Sequence, residues 1–122
     1  MLTAAAAARV LTPGADLAPQ FLFGYPNVDR YATGVYDPLL ASALALSDGE
    51  TRLIFVANDI IFVPRDLAAR ARARIEAATG IPPEAVMLSA THTHSGPITV
   101  DYLSNAGDPT VPAADPAYLR FF

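Results

Sequence analysis

The chain has 122 residues with a formal net charge of −4, 52% hydrophobic residues, 16% charged residues and no cysteine. This length suits one domain, and the low charged fraction excludes a disordered chain. The acidic balance gives nucleic-acid binding no electrostatic support, and the missing cysteines exclude disulfides, thiolate metal sites and a cysteine nucleophile.

The N-terminal stretch MLTAAAAARVLTPG carries a short alanine run without the basic region of a signal peptide. No run approaches the ~18 consecutive apolar residues of a membrane span. We therefore expect a cytoplasmic protein by default, without a transmembrane segment. Within this stretch, residues 8–12 are predicted to form a short first strand, which Pro13 and Gly14 close.

Residues 15–33 combine turn-forming residues with several aromatic side chains, including Phe21 and Phe23. Flexible linkers rarely carry so many large apolar groups, so this segment is predicted to be an ordered loop. The next two runs, LLASALALS and TRLIFVAND, flank Asp48 and Gly49, which is a strong signal for a β-hairpin. The alanine-rich first run alone is also compatible with a helix, and the Asp-Gly turn favours the strand.

The segment PRDLAARARARIEAATG is predicted to be a helix that begins near Pro64 or Arg65 and ends at Gly80. Its apolar stripe comprises Leu67, Ala71, Ile75 and Ala78. Four arginines lie largely off the stripe and indicate either a solvated face or an anion-binding one: Arg65, Arg70, Arg72 and Arg74. The run AVMLSAT, residues 85–91, is predicted to be a buried strand, which completes a βαβ unit with parallel strands.

These elements predict an α/β fold: a mixed sheet in which an N-terminal β-hairpin leads into a βαβ unit, within a partial domain. The tail DPTVPAADPAYLRFF ends in an apolar segment typical of the first turn of a helix. A βαβ unit without neighbours leaves a sheet edge uncovered, so self-association through that edge is expected.

Both histidines of the chain lie in LSATHTHSGP, at the end of the last predicted strand. In an extended segment residues two apart point to the same side, so His92 and His94 are expected to face one site. The carboxyl ends of parallel strands are where open α/β sheets bind ligands, and a neutral imidazole is a good zinc ligand. Spacing alone leaves two alternatives open: a metal or catalytic pair, or a pair that is only exposed or structurally hydrogen-bonded.

Three carboxylates are candidates to complete such a site: Asp37, Asp59 and Asp101. Asp59 ends the run LIFVAND and is expected at the same sheet edge as His92, where it either orients an imidazole or caps a loop. Ser95 and Gly96, with Pro97, are expected to turn the chain sharply and to bring backbone N–H groups close to an anion or a metal site.

The segment ATHTHSGP resembles the signature of the neutral/alkaline non-lysosomal ceramidase family, in its N-terminal domain. Further matching pieces follow in order along the chain: ARVLTPG, FGY, GVYDPLLASALALSDGETRLIFVANDI and TGIPPEAVMLSATHTHSGP. The resemblance covers nearly the whole chain, and His-Thr-His-Ser-Gly-Pro is its most specific part. It implies that residues 1–122 are the N-terminal portion of a neutral ceramidase-like catalytic domain, truncated just after the first active-site motif.

The resemblance implies a zinc-dependent amidase that hydrolyses the N-acyl bond of ceramide or a related lipid amide, in sphingolipid metabolism. In the family the first histidine of the motif is a zinc ligand and the second lies in the active site beside the metal; these roles carry over onto His92 and His94. Ser95 and Gly96 then shape the pocket floor, and Ser95 does not correspond to the family's nucleophilic serine. Some relatives are secreted.

Two positions depart from the family pattern: Ile98 stands where glycine usually follows the proline, and Tyr36 stands where relatives often have histidine. Both changes are expected to alter substrate access. The family's remaining zinc ligands are a second histidine, a glutamate and a tyrosine from downstream segments, whereas this chain has no third histidine. One zinc site with an incomplete ligand set, and an inactive isolated chain, are therefore expected. The alternative is a non-catalytic α/β fragment or interaction module that retains a remnant metal motif.

Overall fold

The computed structural model describes residues 1–15, 17, 19–25, 28–101 and 108–122. Its strands in these ranges are β1 (Thr3–Val10), β2 (Leu40–Ser47), β3 (Arg52–Asn58) and β4 (Val86–Ala90). Its helices are α1 (Arg65–Thr79) and α2 (Pro116–Phe121), and a short 3-10 helix, Pro83–Ala85, precedes β4. No helix in these ranges has the length and apolar character needed to cross a membrane.

The strands form one mixed sheet in the order β1-β2-β3-β4. β1 and β2 pair antiparallel, as do β2 and β3, while β3 and β4 pair parallel with α1 as the crossover between them. The predicted α/β class, with a β-hairpin leading into a βαβ unit, is therefore confirmed. The hairpin register sets Ser47 opposite Arg52 and places Asp48 and Gly49 in the connection.

Asp48 stabilises the hairpin turn through its side chain. Its Oδ1 accepts hydrogen bonds from the N–H groups of Thr51 and Glu50, at 2.7 and 2.9 Å. These bonds favour the charged carboxylate and lower the pKa of Asp48. Gly49 has a φ of 106°, a left-handed conformation that glycine adopts without the steric cost of a Cβ. This turn selects strand pairing over the helix that LLASALALS alone would allow.

The first strand lies closer to the N-terminus than the sequence predicted. β1 spans Thr3–Val10 rather than residues 8–12, so the alanine run itself forms the strand. The reason is its neighbour, because β2 offers a partner at every position from Leu40, opposite Val10, to Ser47, opposite Thr3. Pairing along a neighbour of full length overrides the weak strand propensity of alanine. Every residue of β1 is exposed, so it forms an uncovered edge strand.

Helix α1 begins after Pro64 and ends at Gly80, as the sequence predicted. Gly80 adopts a left-handed φ of 67°, and its N–H donates to the carbonyl of Glu76 at 2.7 Å. The predicted apolar stripe is only partly correct, since Leu67 is buried but Ala78 is exposed. The inward face of α1 therefore ends one turn earlier than predicted.

Arginine side chains tie α1 to the sheet. Arg72 donates from Nε to the carbonyl of Val86 in β4 at 3.0 Å. From β3, Arg52 donates to the carbonyls of Thr79 and Gly80 at the end of the helix, at 3.0 and 3.2 Å. A cation is favourable there because the last helical carbonyls carry partial negative charge. The other helix arginines are exposed: Arg65, Arg70 and Arg74.

A buried apolar cluster is formed by loop residues and by the tail. It comprises Phe21, Phe23, Ile61, Ile98, Val111 and Ala114. The predicted ordered loop contributes two of its aromatic side chains, and the segment after the histidines contributes Ile98. That segment is therefore anchored in the core only four residues beyond His94.

Helix α2 forms in the apolar tail, where the sequence predicted a helical turn. Asp115 caps it: its Oδ2 accepts from Gln20 Nε2 at 3.0 Å and its Oδ1 accepts from the N–H of Ala117 at 2.8 Å. Both bonds favour the charged form and lower the pKa of Asp115. Tyr118 is fully buried and donates its hydroxyl to the carbonyl of Leu11 at 3.1 Å, which fixes α2 beside the end of β1.

Candidate functional site

The two histidines lie just beyond the point where β3 and β4 end. The last paired positions of these strands are Asn58 and Ala90. Beyond Ala90, the N–H of Thr91 donates to the backbone carbonyl of Asn58 at 2.9 Å, and the N–H of His92 donates to the backbone carbonyl of Ile60 at 3.1 Å. The carboxyl ends of the two parallel strands therefore meet at one sheet edge, as the sequence predicted.

The ring of His92 is held by the chain that leaves β3. Its Nδ1 lies 3.0 Å from the carbonyl oxygen of Ile61. A carbonyl oxygen only accepts, so Nδ1 carries the proton in this bond, and the neutral form of the ring has its lone pair on Nε2. The ring also contacts Phe62 edge to face, with centroids 5.1 Å apart. His92 is exposed at the sheet edge.

The backbone of His92 has a φ of 62°, which is left-handed. We expect His92→Gly to be more stable than His92→Ala by about 1 kcal/mol, because glycine adopts this conformation without strain. Both variants lose the side-chain hydrogen bond to Ile61, so the difference between their unfolding free energies reports the cost of the left-handed backbone alone. Urea unfolding followed by circular dichroism measures it. Equal stabilities would show that residue 92 is not left-handed in solution.

The ring of His94 lies against that of His92. Their centroids are 5.0 Å apart and their planes are inclined by 79°. The two rings do share one site, but not through strand alternation, since the left-handed residue at His92 interrupts the extended segment. His94 is partly buried, and its buried Nδ1 has no hydrogen-bond partner among the residues that the structure describes. The pair thus offers two imidazoles in contact at the end of the parallel strands.

Ser95 contributes to a different surface from the histidine rings. With Thr93, Asp59 and Tyr36 it lines a cavity of about 610 Å³, to which neither histidine contributes. The N–H of Ser95 donates to Thr93 Oγ1 at 3.2 Å, so this N–H group is hydrogen-bonded within its own turn. The sequence had predicted that it would lie close to an anion or a metal site. The sharp turn itself is present.

Gly96 is buried beneath this turn. A Cβ at this position would lie 3.4 Å from the carbonyl oxygen of Asp59, which leaves little space for a side chain. Its own carbonyl accepts from the N–H of Phe23 at 3.2 Å. Gly96 therefore joins the predicted loop to the histidine segment.

Asp59 is at the sheet edge where the sequence placed it, but it bonds to the backbone. Its Oδ2 accepts from the N–H of Leu40 at 2.9 Å, which extends the β2–β3 pairing by one position. The ring of His92 is oriented by the carbonyl of Ile61 instead. Of the two roles left open for Asp59, the structure therefore favours the cap.

The other two candidate carboxylates do not approach the histidines as a ligand set. Asp101 accepts from the N–H of Ala114 at 2.8 Å, and Asp37 is exposed at the rim of the cavity. Among the residues that the structure describes, no three His, Asp or Glu side chains are grouped to hold a metal ion. The predicted carboxylate contribution is not found, because Asp59 and Asp101 accept hydrogen bonds from backbone N–H groups instead.

The two departures from the family pattern have different structural consequences. Ile98 is 3% exposed and packs in the apolar cluster with Phe21 and Phe23. Ile98 therefore contributes to the packing of the core, whereas the sequence predicted an effect on substrate access. Tyr36 is fully exposed beside the cavity, where it remains a candidate to affect access.

Sequence reasoning missed the residues that surround His94. Gly24 and Tyr25 contact its ring, and Arg30 contacts both Tyr25 and the backbone of His94. The only signal in the sequence was the segment FGY, which resembled the family without an assigned role.

No protein-family model matches the chain. Similar solved structures include a ceramidase complexed with C2 and a neutral ceramidase from Pseudomonas aeruginosa. Each aligns over 81% of this chain with 27% sequence identity and a TM-score of 0.70. The alignment covers 16% of the length of either ceramidase, so this chain spans a small part of them.

Proposed function

We propose that this chain, which is similar to a part of two ceramidases, supplies His92 as a zinc ligand of a ceramidase-type amidohydrolase. The substrate class is an N-acyl amide of a lipid, with ceramide as the model suggested by the similar enzymes. His94 serves beside the metal in this proposal. The remainder of the catalytic site comes from residues outside this chain.

The observation that carries the proposal is the hydrogen bond between His92 Nδ1 and the carbonyl oxygen of Ile61, at 3.0 Å. Zinc binds a neutral imidazole through one nitrogen, and the other nitrogen usually donates to a carbonyl or carboxylate that fixes the ring. His92 has this arrangement, with Nε2 left to bind.

The described residues fit zinc only in part. A catalytic zinc site normally has three protein ligands and an open position, and this chain groups two imidazoles. Zinc, when bound, supplies a Lewis acid that polarises an amide carbonyl and lowers the pKa of a bound water. His94 then lies near enough to His92 to move a proton or to donate a hydrogen bond to the substrate oxygen. The 122 residues alone should not catalyse the hydrolysis.

Zinc titration calorimetry on the 122-residue chain tests this proposal. We expect weak binding of one zinc ion, weaker by at least about tenfold in His92→Ala. Elemental analysis after dialysis against a weak chelator should find little zinc in either protein, because two imidazoles do not complete a site. Hydrolysis of a fluorogenic N-acyl amide should be absent.

Two results would contradict the proposal. Zinc affinity unaffected by His92→Ala would remove His92 from the site and favour a non-catalytic α/β module. Zinc retained near one equivalent through dialysis, and lost in His92→Ala, would instead mean that the chain completes a site by itself or by pairing. His94→Ala serves as the second variant, expected to weaken binding less than His92→Ala.

A further inference from the structure

A loop that is distant in sequence packs directly on His94. Within it, the N–H of Leu22 donates to the backbone carbonyl of Arg30 at 2.6 Å. The N–H of Ala32 donates to the backbone carbonyl of Gln20 at 2.8 Å, so the two sides of the loop pair like a hairpin. The N–H of Phe23 then donates to Gly96 at 3.2 Å, which places the loop alongside the histidine segment. Residues 24 and 25 therefore face the ring of His94.

Gly24 is the point of closest approach. It has a φ of 123°, a conformation that residues with a Cβ rarely adopt. A Cβ built on it would lie 2.3 Å from Nδ1 and 2.6 Å from Cγ of His94. The imidazole therefore occupies the space of the missing side chain, which buries its Nδ1 away from any hydrogen-bond partner in the described part of the chain.

Tyr25 and Arg30 contact His94 from the same loop. The ring of Tyr25 meets the imidazole edge to face, with centroids 5.1 Å apart and an interplanar angle of 67°. The guanidinium carbon of Arg30 lies 4.8 Å from the centroid of the Tyr25 ring, within the range of a cation–π contact. Nη1 of Arg30 also donates to the carbonyl oxygen of His94 at 3.2 Å. Arg30 thus contacts both the ring of Tyr25 and the backbone of His94.

We propose that Gly24, Tyr25 and Arg30 are positioning residues that hold the ring of His94 in one orientation against His92. Gly24 provides the space, Tyr25 limits rotation of the ring, and Arg30 fixes both Tyr25 and the backbone. The consequence for catalysis rests on the proposed function, whereas the fixed ring does not. Because Nδ1 is buried against this loop, the proposal assigns any contact with the site to Nε2.

Nuclear magnetic resonance of the metal-free chain tests this proposal, with zinc absent throughout. Wild type should give one set of His94 ring resonances, with nuclear Overhauser contacts to the ring of Tyr25. Tyr25→Phe should retain both features, because the edge-to-face ring contact survives. Tyr25→Leu should shift the His94 ring resonances and lose the single orientation, while the bond from His92 Nδ1 to Ile61 persists.

Gly24→Ala should displace the His94 ring, and Gly49→Ala is its matched control. Gly49 has a similar φ of 106°, but a Cβ there would meet nothing within 4 Å, so this control carries the backbone strain without the contact. Displacement of His94 in Gly24→Ala but not in Gly49→Ala supports the proposal. If Gly24→Ala fails to fold, Tyr25→Leu against Tyr25→Phe decides.

The proposal is overturned if wild-type His94 averages between orientations, or if Tyr25→Leu leaves its resonances unchanged. A zinc titration of the same variants then separates this inference from the proposed function. Weaker zinc binding in Tyr25→Leu, restored in Tyr25→Phe, supports both. A fixed ring in a chain whose zinc affinity is unaffected by His92→Ala would contradict the proposed function and leave the positioning role standing.

Discussion

A Tyr118→Ala variant is expected to lose about 3–5 kcal/mol of unfolding free energy, the usual cost of removing a buried aromatic side chain. Tyr118 is fully buried, and its hydroxyl bond to Leu11 joins positions 107 apart in the sequence. Truncation leaves a cavity between α2 and β1 and removes the donor to a backbone carbonyl. Urea unfolding measures the loss. Phe121→Ala is the control on the same helix, because Phe121 is 46% exposed and should cost far less.

The same phenol should make the protein sensitive to alkali. Burial raises the pKa of Tyr118 because the phenolate would lose its hydration. The folded state then holds the proton more tightly than the unfolded state. This contribution is complete below the unfolded pKa of about 10, and above it the unfolding free energy falls by about 1.4 kcal/mol per pH unit.

Tyr118→Phe should remove this alkaline slope while retaining the buried ring. The alkaline slope can be attributed to Tyr118 because the chain contains no lysine and no cysteine, the other side chains that ordinarily titrate near pH 10. Tyr25, Tyr31 and Tyr36 are all substantially exposed. Equal slopes in wild type and Tyr118→Phe between pH 10 and 11 would refute the role of the buried phenol.

Local signals were sufficient to predict the sheet topology. The tight Asp48-Gly49 turn connects two strands that lie next to each other and run antiparallel. Gly80 ends α1 in the left-handed conformation, which residues with a Cβ rarely adopt. Each signal acts within a few residues of the chain. The order of strand, helix and strand then favours the parallel β3–β4 pair that the structure has.

Contacts between distant residues determined what the sequence did not predict. The length of β1 depends on β2, and the carboxylate of Asp59 bonds to Leu40 because the two strands end together. The left-handed backbone at His92 has no local signal, since histidine does not favour it as glycine does. The motif located the site, whereas its geometry came from Ile61 and the loop at Gly24.

One face of the sheet carries no charged side chain, and we call it the open face. By strand register it consists of Ala4, Ala6, Ala8, Val10, Leu40, Ser42, Leu44, Leu46, Leu53, Phe55, Ala57, Met87 and Ser89. Its large side chains are well exposed, with Leu44 at 41%, Phe55 at 37% and Met87 at 55%. Apolar patches of this kind drive association of isolated chains, and a net charge of only −4 opposes it weakly.

Phe55→Lys should therefore shift the isolated chain from associated species toward the monomer in light scattering. Burying a charge between two open faces costs more than the apolar contact returns. Ala73→Lys is the control, because it adds the same charge at an exposed position of α1. Ala7→Lys tests the other route, pairing through the edge strand β1, which a lysine on an edge disfavours. Wild type that remains monomeric at high concentration would contradict association by either route, and a response to Ala7→Lys alone would assign it to the edge.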